Sequence, residues 1–235
     1  ITNFTTDTRK VKIDSCYIGI KGENNDGNLF YMDAFKNGAK LVILDNYEEN
    51  KSDLKYLEDN NKSIIVVSDT IKALGELAKY KRSIFKKDVI AITGSAGKTS
   101  TKDIVYSVLK EKYKAYKTCG NKNNHIGLPL TILSMDASSE ILVLEMGMNH
   151  FGEISYLTNI AKPNVAIITN IGTAHIGNLG SRENILKAKL EILKGLDKDG
   201  YLIINNDNEL LHNWYLENKD KFNIITIGIN NNSDY

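Results

Sequence analysis

Short apolar runs rich in β-branched residues alternate along the chain with longer amphipathic stretches. The apolar runs predict strands at 41–44, 64–67, 89–93, 141–145, 165–169, 201–204 and 224–227. Most are nearly continuous rather than alternating, the pattern of strands buried on both faces. The amphipathic stretches predict helices at 71–85, 99–112, 152–161, 182–193 and 209–218. Ser181 is placed to cap the fourth of these and Gly195 to stop it. Strand–helix alternation from residue 89 onward predicts a parallel α/β sheet. The segment from Asp7 to Gly38 is rich in Gly, Asn and Asp and is expected to be loop-heavy.

Lys86-Lys87-Asp88 is a short charged hinge between a predicted helix and a strongly apolar strand. It divides the chain into 1–85, a small α/β domain, and 86–235, a parallel-sheet domain. At about 150 residues per domain, 235 residues correspond to one large domain or two small ones. The last strand is followed by an Asn-rich loop and no helix, so the second domain is expected to be incomplete.

Composition narrows the function. Thirty Lys and Arg against 29 Asp and Glu leave a net charge of +1, which argues against binding nucleic acid through bulk basic charge. No run approaches the roughly 18 apolar residues of a membrane span. No secretory signal pattern opens the chain. Two cysteines, Cys16 and Cys119, suit buried free thiols in a reducing cytoplasm.

The sharpest motif is Gly94-Ser95-Ala96-Gly97-Lys98-Thr99-Ser100, between an apolar strand and a predicted helix. Glycines let backbone N–H groups turn around phosphate oxygens, and a helix N-terminus adds favourable partial charge. Lys98 would reach the outer phosphates, and the Thr99 hydroxyl would ligate Mg²⁺. The pattern is the short form GxxGKT, with Ile92 where the longer GxxxxGK[ST] form has its first glycine.

A phosphate loop names the nucleotide, not the acceptor. In open α/β sheets ligands gather beyond the carboxyl ends of the strands, so the residues there are the candidates. Glu145 ends one strand and is better read as a hard oxygen ligand for Mg²⁺ than as a solvated carboxylate. His175 follows another, and ligand or simple polar contact are equally compatible with it. On spacing alone, Lys189 is more simply a solvated helix lysine. Asn121 and Asn124 lie in a polar, glycine-punctuated loop that suits a substrate bearing sugars and amides, or an ordinary turn. Asn205 and Asp207, before the last helix, fit an adenine edge, or more simply a strand-to-helix loop with a cap.

Together these segments resemble the Mur ligases, ATP-dependent amide-forming enzymes of peptidoglycan precursor synthesis. The resemblance runs over nearly the whole chain. It is carried by Asp7-Thr8-Arg9, KGENNDG at 21–27, GSAGKTST at 94–101, GNKNNHIGLPLTIL at 120–133, EMGMNHFGEI at 145–154, TNIGTAH at 169–175 and AKLEIL at 188–193. The segments at 120–133 and 145–154 point to the branch that joins D-alanyl-D-alanine to UDP-N-acetylmuramoyl-tripeptide.

The resemblance implies that Lys98 and its loop hold the phosphates of ATP. It implies that Thr99 and Glu145 bind one Mg²⁺ and that His175 helps to hold a second. Lys189 corresponds to a family lysine that CO₂ carbamylates into an oxygen ligand. Thr8, Arg9, Lys21, Glu23 and Asp26 would hold the UDP-sugar, with Thr8 where serine is common. Asn121 and Asn124 would contact substrate, and Asn205 would lie beside adenine. The family chemistry passes through an acyl phosphate. Mur ligases also have a third, C-terminal domain for which no residues remain here, so this chain is expected to bind substrates but not to ligate efficiently. A cytoplasmic monomer is expected. The rivals are a Mur ligase adding another amino acid, a folylpolyglutamate synthetase, and a non-catalytic phosphate-loop module. A GTPase is disfavoured because Asn205-Asn206-Asp207-Asn208 lacks the lysine of NKxD.

Overall fold

The structure, a computed structural model, describes residues 1–49 and 51–235. The chain divides into two compact units, Ile1–Ala78 and Lys79–Tyr235. The division falls inside a helix, before the expected boundary after residue 85.

The first unit is built on a four-stranded parallel sheet in the order β1 (Asn3–Thr5), β2 (Ser15–Ile18), β3 (Ala39–Leu44), β4 (Ser63–Val66). Helix α1 (Tyr31–Lys36) precedes β3, α2 (Lys51–Asp59) follows it, and α3 (Thr70–Ile84) starts after β4. Tyr17, Phe35, Val42 and Leu44 form the buried centre. The stretch from Asp7 to Gly38 is mostly turns and loops, as expected, but it also contains β2 and α1, which the hydrophobic pattern does not single out. Both are shorter than the 11–18-residue window in which hydrophobic periodicity registers. Strand β2 is buried at all four positions, so it shows no alternation either.

The second unit holds a six-stranded, wholly parallel sheet. Its strands are β5 (Asp88–Thr93), β6 (Ala115–Lys117), β7 (Ile141–Glu145), β8 (Val165–Ile168), β9 (Tyr201–Asn205) and β10 (Asn223–Ile227), in the order β10-β9-β8-β5-β7-β6. Each predicted strand from residue 89 onward is present within a residue of its expected ends. The connecting helices are α4 (Lys98–Leu109), α5 (Gly127–Leu133), α6 (Glu153–Ala161), α7 (Ile176–Leu179), α8 (Arg182–Leu190) and α9 (Glu209–Asn218). Ser181 caps α8 by accepting from the Asn184 amide at 3.2 Å. The last turn, Glu191–Lys194, tightens to 3-10 and ends at Gly195, where a side chain would meet the Thr158 carbonyl oxygen at 2.2 Å.

The end of α3 belongs to this second unit. Arg82 donates to the Ala161 and Lys162 carbonyls at 2.6 and 2.8 Å, satisfying the C-terminal end of α6. No helix among the described residues is long and apolar enough to cross a membrane.

Strand order fixes where a ligand can sit. The chain runs from β5 through β6 to β7 on one side, and then β8 pairs with the other side of β5. The carboxyl end of β5 is thus a switch point, flanked by the ends of β7 and β8, and such points open a crevice beyond the sheet.

Candidate active site

The loop leaving β5 turns at two glycines with positive φ, Gly94 at 152° and Gly97 at 78°. A Cβ on Gly94 would lie 1.9 Å from the Thr169 hydroxyl, so only glycine fits there. The segment after β8 locks the loop. The Ser95 and Ala96 amides donate to the Asn170 carbonyl and side chain at 3.1 and 2.9 Å, and the Thr169 hydroxyl donates to the Ala96 carbonyl at 2.6 Å. The Gly172 amide donates to the Ser95 hydroxyl at 2.9 Å. The amides of Ser95 and Ala96 are thereby engaged. The first intrahelical bond of α4 is donated by Thr101 to the Gly97 carbonyl. The N–H groups of Lys98, Thr99 and Ser100 thus head the helix without an intrahelical acceptor, the arrangement that binds phosphate.

Lys98 folds back onto its own loop, its ammonium donating to the Gly94 carbonyl at 2.9 Å. Burial lowers its pKa, and the Glu145 charge partly opposes that. Glu145 ends β7, buried at 2% exposure, with every carboxylate oxygen partnered. Thr99 Oγ1 donates to Glu145 Oε2 at 3.0 Å, and Asn123 Nδ2 donates to Oε1 at 2.8 Å. The Glu145 amide donates to Thr118 Oγ1 at 3.0 Å.

The oxygens of Thr99 and Glu145 fit the Mg²⁺ that the sequence implies. Adjacent ligands of an octahedral ion with bonds of about 2.0–2.1 Å lie about 3 Å apart. The observed separation is 3.0 Å, so the pair can take adjacent positions around one ion with little movement.

A cavity of about 390 Å³ opens beside this pair. Lys98, Asn121, Asn124, Glu153 and His175 are among the side chains that line it. His175 adopts a left-handed backbone, φ 66°, at the start of α7. Its pKa is lowered, first by burial and then by the charges of Lys189 and Lys98, which favours the neutral imidazole, the form able to ligate a metal. Lys189 and Lys187, two residues apart on α8, diverge: Lys187 is exposed and Lys189 is 2% exposed. The Lys189 ammonium makes no hydrogen bond or ion pair among the described residues. Burial, with the Lys98 charge beside it, lowers its pKa to about 7. That is not the solvated helix lysine which spacing alone suggested.

Other predicted residues have local partners. Asn124 Oδ1 accepts from the Ile126 and Gly127 amides at 3.2 and 2.8 Å, holding the start of α5. Asn205 Oδ1 accepts from the Asp207 amide at 3.0 Å, and Asp207 accepts from the amides of Ile229, Asn230 and Asn231. Asn208 is the cap of α9, accepting from Leu211.

In the first unit, Thr8 and Arg9 lie in a 3-10 turn capped by Asp7, whose carboxylate pairs with Arg9 at 2.9 Å. Lys21 bridges Asp26 through the backbone, and Asp26 caps the next turn by accepting from the Asn28 amide and side chain. Glu23 is exposed. Cys16 is buried, with its thiol pushed up to about 12 by desolvation. Cys119 is exposed, correcting the expectation that both thiols are buried.

Sequence reasoning missed two residues, Asn123 and Lys102. Asn123 stands between Asn121 and Asn124 in an asparagine cluster where composition cannot single out one member. The Gly147 amide donates to its carbonyl at 2.8 Å, and a Cβ on Gly147 would lie 2.9 Å from its side-chain oxygen. Lys102 looks like a surface helix lysine in sequence, yet it is buried at 2% exposure and its ammonium lies 3.6 Å from Glu145 Oε2.

A phosphate loop at the switch point of a parallel sheet, with a hydroxyl and a carboxylate set for a divalent ion, defines a nucleotide-binding domain of the phosphate-loop class. The chain belongs to the Mur ligase family: residues 92–235 match the Mur ligase middle domain, and residues 1–82 match the region described as Mur ligase family, catalytic domain.

Among curated relatives it is 45% identical over 215 residues to the UDP-N-acetylmuramoyl-tripeptide–D-alanyl-D-alanine ligase of Bacillus subtilis (strain 168), covering 92% of this chain and 46% of the relative. The enzyme of the same name from Escherichia coli (strain K12) is 36% identical over 210 residues, covering 89% and 44%. A crystal structure of MurF from Acinetobacter baumannii superposes with a TM-score of 0.86 at 33% identity, covering 98% of this chain and 48% of that one. MurF of Thermotoga maritima in complex with ADP gives 0.84 at 33% identity, covering 97% and 51%. The chain spans about half the length of the curated relatives it matches.

Proposed function

We propose that this chain carries the nucleotide-binding and UDP-precursor-binding parts of an ATP-dependent ligase that joins D-alanyl-D-alanine to UDP-N-acetylmuramoyl-tripeptide in the cytoplasm. The observation that carries the reading is the convergence of Lys98, His175 and the asparagine loop on one cavity, beside the Thr99–Glu145 pair. Its support also includes the names of the relatives and the ADP bound to a structural neighbour. Residues 1–85 are read as the UDP-muramoyl-peptide domain, with Thr8, Arg9, Lys21, Glu23 and Asp26 on the nucleotide sugar. Residues 86–235 are read as the ATPase domain.

The head of α4 and Lys98 would hold the β- and γ-phosphates in line with the incoming carboxylate. A carboxylate oxygen of the tripeptide attacks the γ-phosphorus. The bond from phosphorus to the bridging oxygen of ADP breaks, and an acyl phosphate forms. The amine of D-alanyl-D-alanine then attacks the acyl carbon, and collapse of the tetrahedral adduct expels phosphate. Lys98 bears on the charge of the transferring phosphoryl group throughout. Thr99 and Glu145 would hold one Mg²⁺, and His175 with a carbamylated Lys189 a second. The metal's contribution is to neutralise phosphate charge.

Carbamylation requires a neutral amine, and a lysine with a pKa near 7 supplies one at physiological pH. Asn121 and Asn124 line the cavity from one side and would orient the precursor.

The test uses UDP-N-acetylmuramoyl-tripeptide labelled with oxygen-18 in its reacting carboxylate, with the enzyme at its natural length. The reading predicts released phosphate carrying one labelled oxygen, with the other retained in the amide. Unlabelled phosphate would rule out an acyl phosphate.

A further inference from the structure

Lys102 follows Thr99 by one turn of α4 and points inward. Its ammonium lies 3.6 Å from Glu145 Oε2 and 3.4 Å from Asp103 Oδ1. Asp103 is shared, because the Lys117 ammonium also reaches it at 2.8 Å. Lys117 in turn lies 4.4 Å from the centre of the Tyr106 ring. Glu145 Oε2 is therefore faced by one hydroxyl, from Thr99, and one ammonium, from Lys102.

Burying an ammonium at 2% exposure is costly unless it is paired, and an apolar side chain of similar volume would fill the space without that cost. The charge needs a reason beyond packing, and its neighbours supply one. Lys102 is the ammonium ion-paired to Glu145, while Lys98 bonds the Gly94 carbonyl and Glu153 also lines the cavity. A bare divalent cation arriving at Glu145 would therefore meet the Lys102 ammonium at its Oε2 atom. A nucleoside triphosphate brings several negative charges that offset that local repulsion.

We propose that Lys102 is a positioning residue that acts through Glu145: it is the resident counter-ion of that carboxylate and makes the site accept a divalent cation only together with nucleotide phosphates. The inference rests on the reading that Thr99 and Glu145 hold the nucleotide's metal. Its consequence is an order of binding, with the metal arriving as the nucleotide complex rather than waiting in the pocket. A site without the ammonium would load free metal first.

The test is Mn²⁺ binding followed by the electron paramagnetic resonance of the free ion, with and without a non-hydrolysable ATP analogue. The wild-type chain should bind Mn²⁺ weakly alone and strongly with the analogue. Lys102→Met should raise the affinity for Mn²⁺ alone by about tenfold or more, since a like charge within a few ångströms is removed. Lys102→Arg should leave it at the wild-type value. Lys102→Gln, neutral but able to hydrogen-bond the carboxylates, replaces methionine if that variant does not fold.

A neutral variant whose Mn²⁺ affinity is unchanged or lower overturns the proposal, and so does an arginine variant that gains as much as methionine. Glu145→Gln separates the two layers. If it retains tight Mn²⁺ binding with the analogue, the metal assignment fails. If it loses that binding while Lys102→Met gains nothing, only the role of Lys102 fails.

Discussion

Thr99 Oγ1 and Glu145 Oε2 lie 3.0 Å apart although 46 residues separate them in the chain. One comes from the helix after β5 and the other from the end of β7, two strands that are neighbours in the sheet. On the proposed reading, this contact would let the phosphate loop take a metal–nucleotide complex. Thr99→Ala should lower nucleotide affinity in the presence of Mg²⁺ by about tenfold or more, the scale of a lost charge-assisted contact. Affinity in the presence of EDTA should be unaffected. Thr99→Ser keeps the hydroxyl and should restore binding. Calorimetric titrations with and without EDTA check this, and an equal loss in both conditions would place Thr99 in packing alone.

Lys189 makes stability depend on pH in a defined direction. Its pKa falls from 10.5 to about 7 on folding because the charged form is desolvated. Between those values the unfolded chain binds the extra proton, so stability rises with pH across about 7 to 10.5. Below pH 7 both states are protonated and the full burial penalty applies. Lys189→Met should therefore raise the melting temperature at pH 6, with the gain shrinking towards pH 10. A gain that is constant with pH would contradict a buried, depressed amine.

The same amine should react with CO₂. A carbamate resonance in the carbon-13 spectrum, present under labelled CO₂ at pH 8 and absent from Lys189→Met, is the expected result. Lys187, exposed on the same helix, should give none, because its environment is that of water.

Gly94 is the tightest point of the loop. Gly94→Ala forces a Cβ to within 1.9 Å of the Thr169 hydroxyl at a φ of 152°. The loop must shift, at a cost of about 1–3 kcal/mol for the backbone alone. Nucleotide binding should be lost while the thermal transition persists. Gly172→Ala meets only the Ser95 side chain, at 3.4 Å, and should bind nearly normally. Comparing the two by titration and melting separates loop geometry from general instability.

Much of this was legible in the chain. The strands of the second sheet are continuous apolar runs, so they announced themselves, and the glycines, Lys98 and Thr99 announced the loop between β5 and α4. The short elements of the first unit were not legible: β2 and α1 are four and six residues long, with too little sequence for a period to emerge. Lys189 and Lys102 were hidden for a different reason. Burial of a lysine is a tertiary property, and on helices this polar neither one differs in sequence from a solvated neighbour. The family resemblance raised Lys189, but nothing in the sequence raised Lys102. Asn123 was masked by the asparagines on either side of it.

The separate roles read for the two parts of the chain meet in one variant. Lys98→Ala should weaken ATP–Mg²⁺ binding by about tenfold or more, the scale of a phosphate-contacting ammonium, and leave UDP-precursor binding within about twofold. Equal loss of both would contradict the division of roles.

Calorimetry with a ligand panel shows whether this chain recognises both a metal–ATP complex and a UDP-muramoyl peptide. UDP-N-acetylmuramoyl-tripeptide, the corresponding dipeptide, ATP–Mg²⁺ and GTP–Mg²⁺ are titrated separately into the chain. The expected result is binding of the tripeptide in preference to the dipeptide and of ATP in preference to GTP. Preference for GTP with no binding of either UDP-sugar would contradict it.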